Sequence, residues 1–392
     1  MAANTITGLV PTIYEALDLV SRELVGLIPA VDRDVSVDRV ALNQVLMSPV
    51  TPPLAAVNVT PGPTTPDYGG VVVGNIPISL TKQRAVPFGF TGEETLSLSN
   101  SAIVAPYQTT KRDMIAQAIR TLVNEIEADL AALIRVNVSR FTGIAATPPF
   151  NTPSNLSDFA QVLKILQDNG CPISGPEDIK LVLNTTASAN LRGVQAGLFR
   201  VNEAGDGGAL LRRGYLGDVM GFRIGESAAL TGPIAAGTGA AYTSNAAGYA
   251  IGTTLIPLIT GAGTVLAGDT VTFAGDTNRY TVVTGIAAPG AIVIAGPGLR
   301  RAIPAAVTAA TVGAAYTPSV AFHRSAFKLI ARQTALPEGG DVAADRMTIV
   351  DPVSGLPFEF AVYPQYRQVR YEVALAWGVG VVAQRHGAGL LG

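Results

Sequence analysis

The sequence predicts an α+β fold, a mixed body organised around one long helix with an all-β module set into it. Three observations carry this. Apolar residues recur at steps of three and four from Ile115 to Leu133. Helices and strands alternate elsewhere without a βαβ rhythm. Finally, Thr231 to Thr317 changes composition, becoming rich in Gly, Ala, Thr and Val and poor in charge.

The elements follow in chain order. After Pro11, the residues Ile13, Leu17, Val20, Leu24 and Leu27 keep helical spacing until Pro29, predicting a short amphipathic helix that needs a partner for its stripe. From Ser48 to Pro87 eight prolines exclude a helix, while Val71, Val73, Ile76, Ile78 and Leu80 alternate. A long hairpin-like arm is expected there. Thr110-Lys-Arg-Asp113 resembles a capping box and opens the main helix, which continues to Val138 through Ile115, Ile119, Leu122, Ile126, Leu130 and Leu133. At 1.5 Å per residue this is a rod of roughly 40 Å, a spine for the body. Leu156 to Gln167 reads as an amphipathic helix ended by Asn169-Gly170, Ile179 to Leu183 as a strand, and Ala187 to Leu198 as a helix. Thr270 to Phe273 is a strand between the turns Ala267-Gly-Asp269 and Ala274-Gly-Asp-Thr-Asn278. Val320 to Arg332, Arg346 to Val350, Phe358 to Pro364 and Val369 to Ala376 are strands, with Asp351-Pro-Val-Ser-Gly355 as a turn.

Composition narrows the function. The chain has 392 residues, a formal charge of -2, 14% charged residues and a mean hydropathy of +0.35. Typical soluble domains carry about 25% charged residues, so this surface is expected to meet protein or lipid more than water. Near-neutrality argues against electrostatic steering toward nucleic acid. Arg outnumbers Lys 22 to 5, and Arg is favoured at protein interfaces, although the nucleotide composition of a genome would give the same bias. No charge lies between Glu226 and Asp269, but eight glycines and two prolines break the stretch and argue against a bilayer helix. One cysteine, Cys171, excludes an intrachain disulfide, and His323 and His386 are too few for a His/Cys metal centre. Residues 1–20 lack a basic n-region and do not read as a signal peptide.

Motifs for chemistry are missing or misplaced. No Walker A, G-x-S-x-G or H-E-x-x-H sequence occurs. Gly387-Ala-Gly-Leu-Leu-Gly392 matches a dinucleotide fingerprint with no helix to follow it. His323 reads as a hydrogen-bonded structural histidine rather than a general base, and Cys171 has no histidine nearby in sequence. Arg212-Arg213 and Arg300-Arg301 lack the aromatic neighbours that stack on bases and read as solvated or subunit-facing. No catalytic, metal or cofactor site is expected. Candidate subunit-interface residues are Leu17, Arg84, Glu93, Glu94, Arg112 and Arg120, with Glu93 and Glu94 beside the Gly92 turn as partners in intersubunit ion pairs.

The order of these segments resembles the major capsid proteins of tailed phages with the HK97-like fold, in the branch similar to the coat protein of phage P22. Thr7 to Leu17 looks like the N-terminal arm, the Pro-rich segment like the extended loop, and Lys111 to Val138 like the spine helix. Leu181-Val-Leu-Asn184 with Gly217 to Phe222 looks like the peripheral and axial body, and Gly268 to Gly275 with Tyr280 to Val283 like an inserted β domain. Ala321 to Phe327, Ala335-Leu-Pro and Asp351 to Leu356 resemble the closing part. The resemblance implies a layout of N-terminal arm 1–47, extended loop 48–105, spine helix with peripheral and axial body 106–230, inserted domain 231–317 and returning body 318–392. It also implies an icosahedral shell of hexamers and pentamers around double-stranded DNA, assembled in the host cytoplasm. Such a shell forms on scaffolding protein, carries a portal protein, expands as DNA is packaged, and can bind decoration proteins. Some relatives lock the shell with a Lys-Asn isopeptide bond; Lys82 is the only lysine of the loop, and noncovalent closure is expected. The competing expectations are another self-assembling virion or surface-layer protein, which gives tubes or planar lattices, and an oligomeric enzyme, which needs a pocket of convergent titratable groups.

Overall fold

The structure, a computed structural model, describes residues 24–51, 56, 61, 73–99, 106–153, 155–175, 178–195, 217–351 and 354–392. Helices and strands are mixed, as an α+β chain requires. The stripe-bearing helix runs over Pro106–Asn137, 32 residues. It begins four residues before Thr110, so Thr110-Lys-Arg-Asp113 lies inside the first turns and is no cap. Pro106, whose missing N–H costs nothing at a first helical position, marks the start instead.

The helix lies on a six-stranded sheet. Its order is Asp32–Val40, Phe327–Thr334, Gln368–Val381, Pro357–Gln365 and Asp345–Val350, with Lys82–Thr91 along the far side of the 14-residue strand Gln368–Val381. Asp32–Val40 is parallel to Phe327–Thr334; the other pairs are antiparallel. Leu122, Val123, Ile126, Leu130 and Ile134 of the helix share one buried core with Phe358, Phe360, Val373, Leu375 and Trp377 of the sheet. Burying a side chain of this size contributes roughly 1.5–3 kcal/mol, so the amphipathic stripe is what holds the rod in place.

The second sheet has twelve strands, and half of them form a closed ring. Thr270–Phe273, Ala309–Val312, Ala240–Ser244, Leu255–Ala262, Gly290–Ile294 and Arg279–Thr284 pair successively, and the last pairs back onto the first, with Val271 opposite Tyr280. This small barrel has its own core, including Tyr242, Ile256, Val271, Phe273, Val282 and Ile292. The alternation of short strands with glycine turns in this stretch therefore closes on itself, which removes free strand edges. From Arg279–Thr284 the sheet continues through Arg140–Gly143, Gly387–Leu391, Pro318–His323, Ile179–Leu183, Phe222–Glu226 and Asp218–Val219. Helices Ser157–Asp168 and Thr185–Gly193 cover that half over a third core, with Phe159, Val162, Leu166, Leu181 and Phe222.

Arginines rivet the barrel to the body. Arg140, 3% exposed, donates to Asn278 Oδ1 at 2.5 Å, to Asn169 Oδ1 at 3.1 Å and to the Ile165 carbonyl at 3.5 Å. Arg300 donates to the Asp168 carbonyl at 2.7 Å. Both cations thus sit at the C-terminal, negative end of helix Ser157–Asp168. Arg300 is exposed, as expected, yet engaged within the chain; its carbonyl partner, 132 residues away, gives no local signal.

Three expectations need correction. Residues 24–31 are not helical: Leu27 and Ile28 are buried in the main core, because their backbone N–H groups are taken by Glu127 rather than by a helical ladder. Val320 to Arg332 is two strands in two different sheets, separated by the one-turn helix Arg324–Ala326. The helix after Ile179–Leu183 starts at Thr185, where Asn184 Oδ1 caps the Ala187 N–H at 2.7 Å. Leu17 and the start of the N-terminal stripe, Arg212-Arg213, and most of the Pro-rich segment lie outside the described residues.

Candidate assembly surface

The Pro-rich segment is bounded by an antiparallel two-stranded sheet, Val45–Val50 with Gly74–Ser79, which pairs with no other strand among the described residues. Its two faces differ. Leu46, Ser48, Ile76 and Ile78 turn toward the body, where Ile78 and Leu80 pack with Val40, Ile330 and Ala376. The opposite face presents Val45, Met47, Pro49 and Pro77 to solvent, with Met47 63% exposed. Asp67 is the only charged residue from Ala41 to Thr81. An isolated two-stranded hairpin is marginal in water, and this one is apolar on both faces.

Two glycines seat the root of the hairpin. A Cβ on Gly378 would run into the Ser79 carbonyl, and one on Gly380 would meet the Ile78 side chain. The glycines of Gly378-Val-Gly380 therefore serve close approach of one strand to another. Gly378→Val is expected to unseat Ile78 and Leu80, lowering stability by about 1–3 kcal/mol and increasing proteolysis within the hairpin; urea melts and limited proteolysis check both.

Lys82 begins the strand beside the hairpin. Its ammonium donates to Asp129 Oδ1 at 2.8 Å and Glu125 Oε1 at 3.0 Å, and the Trp377 indole N–H donates to Asp129 Oδ2 at 2.9 Å. The Asp129 hydrogen bond, backed by Glu125, raises the Lys82 pKa against the opposing effect of burial. A lysine held protonated in this way is no nucleophile.

The interface candidates do not gather in one place. Arg84, with its side chain 59% exposed, lies 3.3 Å from Glu125 on the open side of Lys82–Thr91. Glu93 is exposed in the first turn of helix Gly92–Ser99 and lines a groove of about 990 Å³ with Leu96, Tyr366 and Arg367. Glu94 is buried and belongs to its own helix: its carboxylate accepts from the Thr91 N–H at 2.8 Å while Thr91 Oγ1 accepts from the Glu94 N–H at 3.2 Å. This reciprocal cap, readable as Thr91-x-x-Glu94, takes up the Glu94 carboxylate within its own chain, where an intersubunit ion pair was expected. Arg112 is exposed beside Asp113, and Arg120 is half-buried farther along the long helix.

Sequence reasoning missed Glu127. It is 1% exposed, and its carboxylate accepts from the N–H groups of Gly26, Leu27 and Ile28 at 2.8, 2.7 and 3.0 Å and from the Ser227 hydroxyl at 2.7 Å. The signal was there: Val123, Glu127, Leu130 and Ile134 follow the apolar period of the helix, so the carboxylate faces the core. Chemical groups are sparse elsewhere. Cys171 is buried and burial pushes its thiol up to about 11. No three His, Cys, Asp or Glu among the described residues are placed to hold a metal, and no described helix is long and apolar enough to cross a membrane.

No protein family matches the sequence, and no curated protein matches it either. Solved structures with a similar fold trace include the capsid of the Cyanophage P-SCSP1u, at 11% identity over 95% of this chain and 89% of that one, TM-score 0.48. The mature capsid of bacteriophage PhiM1 is similar at 12% identity over 92% and 85%, TM-score 0.42. The virus-like particle from Pyrococcus furiosus is similar at 10% identity over 99% and 100%, TM-score 0.38.

Proposed function

We propose that this chain is the major capsid protein of a tailed phage, a non-enzymatic subunit that tiles a closed icosahedral shell of hexamers and pentamers around double-stranded DNA. The hairpin carries the reading: its two strands are uncharged, have apolar residues on both faces, pair with no other strand among the described residues, and root in a core shared with the main body. Only another protein surface covers it, and with a self-complementary array that surface belongs to a second copy. The long helix and the six-stranded sheet then act as spine and peripheral body, the twelve-stranded half as axial body, and the closed barrel as the inserted domain facing decoration proteins or solvent. A scaffolded procapsid that expands, a portal and nonspecific contact with packaged DNA complete the proposal, with assembly in the host cytoplasm.

Lys82 supports noncovalent closure, since its ammonium is engaged by two carboxylates of the same chain. Expression of the chain with its scaffolding partner, followed by negative-stain microscopy and a denaturing gel, tests the reading. Closed isometric shells that dissolve into single chains in detergent are expected. Tubes or flat lattices would instead place the chain among tail or surface-layer proteins.

A further inference from the structure

The chain passes directly between the two sheets twice, and both passages are single turns of 3-10 helix. Arg324–Ala326 joins Pro318–His323 of the twelve-stranded sheet to Phe327–Thr334 of the six-stranded one. Gln384–His386 joins Gln368–Val381 back to Gly387–Leu391. The turns lie side by side: the N–H groups of Val382 and Ala383 both donate to the Ala326 carbonyl, at 2.9 and 3.1 Å. The only two histidines of the chain sit on these turns, 9% and 8% exposed, with ring centroids 6.0 Å apart.

One hydroxyl bridges them. Ser325 Oγ is 2.7 Å from His323 Nδ1 and 3.0 Å from His386 Nδ1. The Ser325 backbone N–H also donates to His323 Nδ1 at 3.2 Å, so that nitrogen is an acceptor. The hydrogen-bond inventory then fixes the rest: His386 Nδ1–H donates to Ser325 Oγ, and the hydroxyl proton goes to His323 Nδ1. This arrangement requires a neutral His323 Nδ1: a proton there removes the acceptor of the Ser325 backbone N–H and reverses the hydrogen bond to the Ser325 hydroxyl.

We propose that the two turns form one protonation-gated joint between the sheets, tied when His323 and His386 are neutral and released when they take up a proton. The surroundings oppose that proton at neutral pH. Burial lowers both histidine pKa values, His386 to about 4, with Arg324 acting on His323 and Arg385 and His323 acting on His386. Asp178, ahead of strand Ile179–Leu183, is acidic and acts the other way on His323. Cys171 shares the influence of Asp178 and Arg385 but stays a neutral thiol. On the strands packed against the first turn, Asp32 and Lys328 face each other at 3.7 Å. The folded state thus binds fewer protons than the unfolded one below the ordinary histidine value, so the tie is intact above about pH 6.5 and weakens as pH falls toward the folded values.

Hydrogen exchange on the full chain tests this, corrected for intrinsic rates, from pH 7 to about pH 4.5. Amides of Ser325, Val382, Ala383 and His386 are expected to gain exchange roughly tenfold over those of the flanking strands, which marks local opening rather than global unfolding. His323→Asn keeps an oxygen cap for the Ser325 N–H and cannot titrate; it is expected to stay protected at both pH values. Imidazole ¹⁵N shifts give a second reading, with His323 in its Nε2–H tautomer at neutral pH. Exchange that rises equally in the flanking strands, a response unchanged in His323→Asn, or a His323 that titrates at its ordinary value each overturns the proposal. None of these readouts depends on shell formation, so the result stands apart from the proposed function.

Discussion

Replacing residues 45–79 by an Asn-Gly pair is expected to leave a folded, soluble chain that forms no closed shells. The surgery suits the body, because Gln44 and Leu80 are already neighbours: the Leu80 N–H donates to the Gln44 carbonyl at 3.1 Å and the Asn43 N–H to the Leu80 carbonyl at 2.9 Å. Asn-Gly is the two-residue connection that such a ladder favours. The strand Lys82–Thr91 must be kept, since ten of its residues pair along Gln368–Val381. Sedimentation and microscopy with scaffold present read the outcome. Shells of normal size would mean the hairpin is not the limb that joins copies.

Glu127→Gln is expected to lower unfolding stability by about 1–3 kcal/mol. The carboxylate satisfies four buried donors by itself. A glutamine that keeps its oxygen toward Gly26, Leu27 and Ser227 turns its NH₂ toward the Ile28 N–H, and an orphaned buried group costs about 1–3 kcal/mol. The loss falls on residues 26–28, so exchange protection there should vanish before the rest of the molecule melts. Urea denaturation with amide exchange measures both. A change below about 1 kcal/mol would show that Glu127 is replaceable by water.

The long helix and several strands were legible because each writes its period locally. Ile179–Leu183 and Thr270–Phe273 begin and end where hydrophobicity and turn residues say. Closure of the barrel was not legible, since Val271 meets Tyr280 through pairing partners that no short window reveals. Nor was the break at Arg324: Ala321-Phe322 before it and Ala326-Phe327 after it are equally apolar because both strands are buried, so burial masks the change of sheet. In the candidate surface, the apolar hairpin was readable from missing charge. The fate of individual charges was not, because Glu94, Glu127 and Arg300 are answered by backbone groups, and the partners of Glu127 and Arg300 lie far along the chain.

The prolines of the hairpin bear on its life before any neighbour arrives. A bare pair of strands with open edges is a template for indiscriminate growth. Pro49 and Pro77, one on each strand, carry no N–H and are tolerated in a ladder only where that group would point outward. Each rim is therefore short of a donor, which discourages amyloid-like stacking while leaving the flat apolar side free for the intended match.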